Sequence, residues 1–340
     1  MKQEPKMEAT ARQKDQTGAR HHYLPKMYLK GFTEKGRISV WQRASGEVRA
    51  STPNNVANVR GFYTFTGKDG KKSDEIEKLL ADMEGYVKTV IANVNSLFPP
   101  AITGNYKFAL AQYIAFQHVR TPAHRKELEQ SADMIMKMQV RPNLQSREQI
   151  VKQLERIGRE PTEEAIKQLE DVYNDPHSVE VVPSKESVMK LQLGQLPLLT
   201  QILMHRVWHI VTFEQPSLVT SDSPVLLMPD QDQPYHWMRG TGFANAKEIW
   251  FPLSSTRMLV LARQDYKKPR FIRGNLAMAQ EANEIQLASS YMEAFGPPSI
   301  ILPYEGKPLG ARPLGGVEAG FDKEFFERYN KPPDRPRPQR

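Results

Sequence analysis

"SKESVMKLQLGQLPLLTQILMHRVWHIVTF", residues 184–213, carries the change of period on which the fold class turns. Its first two thirds read as one helix, or as a pair broken at Pro197. Its end, "HIVTF", is a short apolar segment of the β-rich kind. "LVTSDSPVLLM" (218–228), "EIWFPLS" (248–254) and "RMLVLAR" (257–263) continue in the same style, separated by turn-rich stretches. The C-terminal half is therefore expected to supply most of a sheet, ahead of a further helix over "NLAMAQEANEIQLASSYMEAF" (275–295), a late strand in "SIILPY" and a short helix in "DKEFFERY".

Upstream of that change the chain is helical. "SDEIEKLLADMEGYVKTVIANV" (73–94) opens on Ser73 as N-cap, with acids in its first turn and an apolar stripe from Ile76 to Ile91. A second helical run covers 105–140 and must bend or break at Pro122, since proline has no N–H and disfavours helix at Thr121. Tyr113, Gln117, Arg120 and, if the helix continues, His124 fall on one polar stripe of that run. Residues 141–180 are polar and read as a solvated helical insertion. Before the helices, "RISVWQRASGEVRAS" (37–51) reads as a hairpin turning at Ser45-Gly46, and "NVANVRGFYTF" (55–65) leads to a short aromatic strand at Phe62 to Phe65. Strands, helices, strands and a helix in that order predict an α+β fold: a helical centre packed with a mixed or antiparallel sheet, contributed mainly by the C-terminal half and an N-terminal hairpin. The expected organisation is a flexible arm (1–20), one domain (21–330) and a basic, proline-rich tail (331–340).

Composition narrows the class. The chain has 340 residues, 25% of them charged, with a mean hydropathy of -0.58. It has no cysteine, so disulfides, thiolate metal sites and cysteine nucleophiles are excluded. No stretch has the length or apolar character of a signal peptide core or a membrane span, so a cytoplasmic location without membrane association is expected. The net charge of +8 favours a polyanionic partner, although lysine and arginine are dispersed among acids.

Familiar catalytic signatures are missing. No Walker loop and no GxSxG elbow occur, and "RGTGFANAKE" lacks the strand and third glycine of a dinucleotide fingerprint. His205 and His209 have metal-ligand spacing, but Arg206 stands where a metalloprotease has glutamate, so no metal is assigned. Two places remain. "HHYLPKMYLKGF" (21–32) sets two histidines before an apolar run, and "TSDSPV" (220–225) interrupts an apolar strand with Ser221 and Asp222, either as an Asx or Ser turn or as groups presented to a cleft.

"HHYLPKMYLKGF", "NVANVRGFYTF", "EIEKLLADMEG", "FQHVRTPAHR", "VTSDSPV" and "FPLSS", in this order, resemble the bacterial family called domain of unknown function 4238. The resemblance covers about residues 21 to 300. It marks His22, Pro25, Tyr28, Phe62, Tyr63, Glu77, Glu84, Arg120, Pro122, Ser221, Asp222, Pro224 and Pro252 as the family pattern, with Asn283 beside them. On this basis His22, Arg120, Ser221 and Asp222 are expected to form one catalytic cleft, supported by Glu84, Gln117 and Asn283. In it His22 moves a proton, Asp222 orients the imidazole and Arg120 holds an anion. A metal-assisted variant would use His22, Glu84 and Asp222 as ligands. The rival is a buried hydrogen-bond network in which the same residues tie the N-terminal arm to the core. The corresponding functions are a hydrolase or nuclease-like enzyme on a phosphate-bearing substrate, and a non-catalytic nucleic-acid-binding or interaction protein of a defence or stress system. Nucleic acid or a phosphorylated ligand is the expected partner. Cofactor and oligomeric state are left unassigned.

Overall fold

The computed structural model describes residues 20–60, 65–66, 72–73, 75–175, 182–230, 240–263 and 268–300. The expected arm (1–19), Phe62 and Tyr63, the late strand beyond Ile300, the last helix and the basic tail lie outside these residues, as does the side chain of Glu77.

The chain enters as strand β1 (Arg20–His22), which pairs with β4 (Asn58–Arg60), His22 opposite Asn58. Pro25 then opens the short helix α1 (Lys26–Leu29), continued by a 3-10 turn over Lys30–Phe32. This segment is the anchor of the molecule. The Tyr28 ring stacks on Phe251 at 5.4 Å, and its hydroxyl donates to the Pro252 carbonyl at 2.7 Å and pairs with the Thr220 hydroxyl at 2.8 Å. Gly31 lies so close to the backbone of Leu253 and Ser254 that a Cβ there would meet the Leu253 carbonyl at 3.0 Å. A side chain at 31 would force this backbone contact to open by a few tenths of an ångström.

The hairpin expected from the sequence forms from β2 (Ile38–Gln42) and β3 (Val48–Ser51). After β5 (Phe65–Thr66) and β6 (Lys72–Ser73), which pair with each other, come the helices. These are α2 (Glu75–Val94), α3 (Gly104–Val119) and α4 (Pro122–Val140). The break expected at Pro122 occurs as a helix restart: Thr121 caps α4 by accepting from the His124 N–H, and Pro122 takes the first-turn position where a missing N–H costs nothing. Beyond α4, the insertion forms α5 (Arg147–Arg156) and α6 (Glu163–Asn174), whose Ile150, Leu154 and Ile166 bury one another in a small cluster with Leu144. Helices α7 (Lys185–Gly194) and α8 (Leu196–Met204) come next, with Pro197 in the first turn of the second.

The β-rich half then builds two sheets. In the first, the order is β12 (Phe271–Arg273), β7 (Val207–Thr212), β11 (Arg257–Ala262), β10 (Glu248–Ser254), β9 (Leu226–Met228); only the β12–β7 pair is parallel. In the second, the order is β3, β2, β13 (Glu293–Gly296), β8 (Thr220–Ser221), all antiparallel. Strands β10 and β11 are buried along almost their whole length, which explains their unbroken apolar sequence. The main core joins the 24–32 anchor, helix α3 and these strands in one cluster. The architecture is α+β, as the order of periods implied.

One boundary differs from the sequence reading. Helix α9 (Leu276–Ser289) stops before "YMEAF", whose Glu293–Phe295 open strand β13 rather than end the helix. The cause is tertiary. Arg43 donates from one Nη to the carbonyls of Leu287, Ala288 and Ser290, and the Asp222 carboxylate takes the N–H groups of Tyr291, Met292 and Glu293. Both ends of the break are thus satisfied by side chains distant in sequence.

Candidate functional site

The sequence-selected residues settle in two places. At the first, α3 presents Tyr113, Gln117 and, at its C-cap, Arg120, one turn apart along a single face. Arg120 is 4% exposed; it donates to Glu84 of α2 at 2.9 Å and to the His22 carbonyl at 2.5 Å, and lies over the Phe116 ring. The guanidinium therefore ties β1, α2 and α3 together. His22 and Glu84 both bond Arg120, while Gln117 and Tyr113 lie on the same face of α3.

This group is unusual in what it leaves unmade. The His22 Nε2, the Tyr113 hydroxyl and both polar atoms of the Gln117 amide are buried with no hydrogen-bond partner among the described residues. An unsatisfied buried polar atom typically costs about 1–3 kcal/mol, so native chains seldom keep several. Burial holds the His22 imidazole below its ordinary pKa, helped by the positive charges of Lys26 and Arg120 against bonds to the backbone of residues 53 and 54. The imidazole is therefore neutral at pH 7. Burial also pushes the Tyr113 phenol far up, and the Glu84 carboxylate acts in the same direction, so its O–H remains a donor.

At the second place, Asp222 is fully buried, and all its partners are backbone. One carboxylate oxygen accepts from Tyr291 N at 2.6 Å; the other accepts from Met292 N at 2.5 Å and Glu293 N at 3.0 Å. Burial outweighs these three bonds and pushes its pKa up to about 6. Ser221, also fully buried, accepts from Ser223 N at 3.0 Å and from the Gln286 amide at 2.5 Å. Asn283 spans the Ser217 carbonyl and the Val219 N–H.

The single cleft expected from the sequence is thus divided. Asp222 does not pair with His22, because three backbone donors already use its two oxygens. Ser221 and Asn283 stay with Asp222, away from Arg120. Nor do His22, Glu84 and Asp222 form the ligand set of the metal-assisted variant; among the described residues no group of three or more histidines and carboxylates is arranged to hold a metal. His205 and His209 share no helix face, since the first caps α8 and the second lies in β7. His124 turns away from the stripe and places its ring 4.9 Å from that of His118.

A model of the family described as a protein of unknown function, DUF4238, matches residues 20–299, a span that holds both places. The chain belongs to the DUF4238 family. No curated protein and no solved structure matches it. The DUF4238 description assigns neither place a role, so their chemistry rests on the geometry above. Sequence reasoning passed over Arg43 and Gln286, which fix the α9 to β13 transition. Neither belongs to a motif, and only their positions opposite Asp222 and Ser221 in the folded chain reveal the task.

Proposed function

We propose that this DUF4238 chain is a hydrolase acting on a phosphate-bearing substrate at the His22–Tyr113–Gln117–Arg120 group. The observation that carries this reading is the set of buried, unpartnered polar atoms beside a fixed guanidinium. The Tyr113 O–H is a donor within reach of the Arg120 charge, and the Gln117 amide N–H is a second buried donor on the same helix face, which suits a phosphoryl oxygen. The Gln117 amide oxygen and the neutral His22 Nε2 are acceptors, which suits a water. In the proposed reaction that water attacks phosphorus, His22 takes its proton, the ester P–O bond breaks, and the imidazolium returns the proton to the departing alkoxide. Glu84 does not act on the substrate; it holds Arg120 in place.

A second reading is favoured by Asp222. Its carboxylate is consumed by the backbone, so among the described residues Asp222 does not serve His22 as the orienting acid of a conventional dyad, which suits a non-catalytic module binding nucleic acid through its positive balance. Hydrolysis of bis-p-nitrophenyl phosphate decides between them. The enzymatic reading expects turnover that falls about 10²-fold or more in His22→Ala. It also expects Gln117→Leu to lose turnover while gaining about 1–3 kcal/mol of stability in urea unfolding, because an unpaired buried amide is replaced by an apolar group of similar size. No turnover above buffer, with Gln117→Leu no more stable than the parent, overturns it.

A further inference from the structure

Strand alternation sends His22 and Tyr23 to opposite sides of their segment. His22 meets Arg120. Tyr23, whose N–H donates to the Ala57 carbonyl at 3.0 Å, lines a separate cavity of about 510 Å³. That volume lies within the range of small-molecule sites, and the role of this cavity is independent of the one proposed for the His22 group.

The cavity lies between the 55–59 segment, the β2–β3 hairpin and the entry to β13. Its floor is rigid, because the backbone of Tyr291, Met292 and Glu293 is pinned from below by Asp222. Its wall carries local strain as well. Ala57 holds φ at 52°, a left-handed conformation that costs a residue with a Cβ roughly 1–2 kcal/mol. Such strain persists where the surroundings fix it, and it clusters at ligand sites.

The polar lining is specific. Arg49 donates from Nη2 to one oxygen of Glu293 at 2.9 Å. The other Glu293 oxygen and the remaining Arg49 donors have no protein partner among the described residues. A donor and an acceptor therefore stand side by side, their charges cancelling. Gln42, Asn55, Asn58, Tyr23 and Tyr291 also line the cavity, and the Asn58 amide nitrogen donates to the Val56 carbonyl at 3.1 Å. A simple anion would leave the Glu293 oxygen unmatched, and a simple cation would leave Arg49 unmatched. A neutral heteroaromatic ring with donors and an acceptor on adjoining edges matches both.

We infer that this cavity binds a guanine-type nucleobase, with Glu293 accepting from the ring N–H and exocyclic amine and Arg49 donating to the carbonyl edge. Carboxylates accept from such donors, and arginine donates to the O6 and N7 acceptors of guanine, each good pair discriminating by about 1–3 kcal/mol.

Isothermal titration of the full chain with guanosine, adenosine and benzoate tests this assignment. Guanosine should bind at one site, at least tenfold more tightly than adenosine or benzoate. Glu293→Gln should remove that preference, since it replaces an acceptor oxygen by an amine. Ala44→Trp, at an exposed cavity-lining position, should block binding without shifting the unfolding midpoint. Absence of saturable guanosine binding, equal binding of adenosine or benzoate, or guanosine binding that survives both substitutions overturns the assignment.

Discussion

Asp222 shows how one side chain can look catalytic in sequence and serve the backbone in the fold. Placed between Ser221 and Ser223 at the end of a short strand, it has the setting of a presented acid. In the structure it is a clamp: it accepts three consecutive N–H groups and thereby converts the end of α9 into the start of β13. Alanine at 222 would deprive three part-buried donors of their acceptor at once. At roughly 1–3 kcal/mol each, the expected loss is about 3 kcal/mol or more. Denaturant unfolding of Asp222→Ala measures it directly; a midpoint equal to that of the parent would refute the clamp. Asparagine is not a neutral substitute, because its amide nitrogen would point a donor at donors.

Element boundaries depend on whether their causes are local. The turn at Lys35-Gly36 is a local one: Glu34 and Arg37 exchange both backbone hydrogen bonds at 2.9 Å, and the two central residues have φ of 50° and 75°. Those are the positive values of a type I′ hairpin turn, which favours Asn-Gly over Lys-Gly. Lys35→Asn should therefore stabilise the chain by about 0.5–1 kcal/mol, read as a higher urea midpoint, because asparagine tolerates the left-handed region better than lysine. An unchanged or lower midpoint would show that the strain at 35 is not stored. The hairpin at 37–51 and the break at Pro122 were legible in sequence, since turn residues and proline act within a few positions; the Lys35-Gly36 turn and the Thr121 cap were not read there. The end of α9 was not legible. "QLASSYMEAF" continues a helical pattern by itself, and only Arg43 and Asp222, far away in sequence, overrule it. The polar stripe on α3 was visible as spacing, but its unpartnered atoms belong to the packed state and leave no trace in the sequence.

For the molecule as a whole, the fold class came from the order of periods, short strands first, then helices up to Met204, then a β-rich half holding one helix, whereas the division of the candidate site into two came from packing alone. The same packing fixes how the chain responds to acid. Burial lowers the pKa of His22, His118 and His209 below the ordinary 6.5; for His118 the adjacent His124 adds to the effect, and for His209 Arg270 does so against the opposing pull of Glu248. Below about pH 6.5 the unfolded chain takes up protons that these residues refuse in the fold, so stability is full above that pH and falls as pH drops toward the folded values. Asp222 runs the other way. Its pKa is raised from 3.8 to about 6, so between these values the folded chain holds the extra proton and acidification favours the fold. Three histidines against one aspartate leave a net loss on acidification, with Asp222 blunting it between pH 6 and 4. Urea midpoints should thus fall from pH 7 to pH 4.5, and His118→Asn, which cannot be protonated, should flatten the slope. A midpoint that stays constant or rises over this range would show that the histidines are not held neutral by the core.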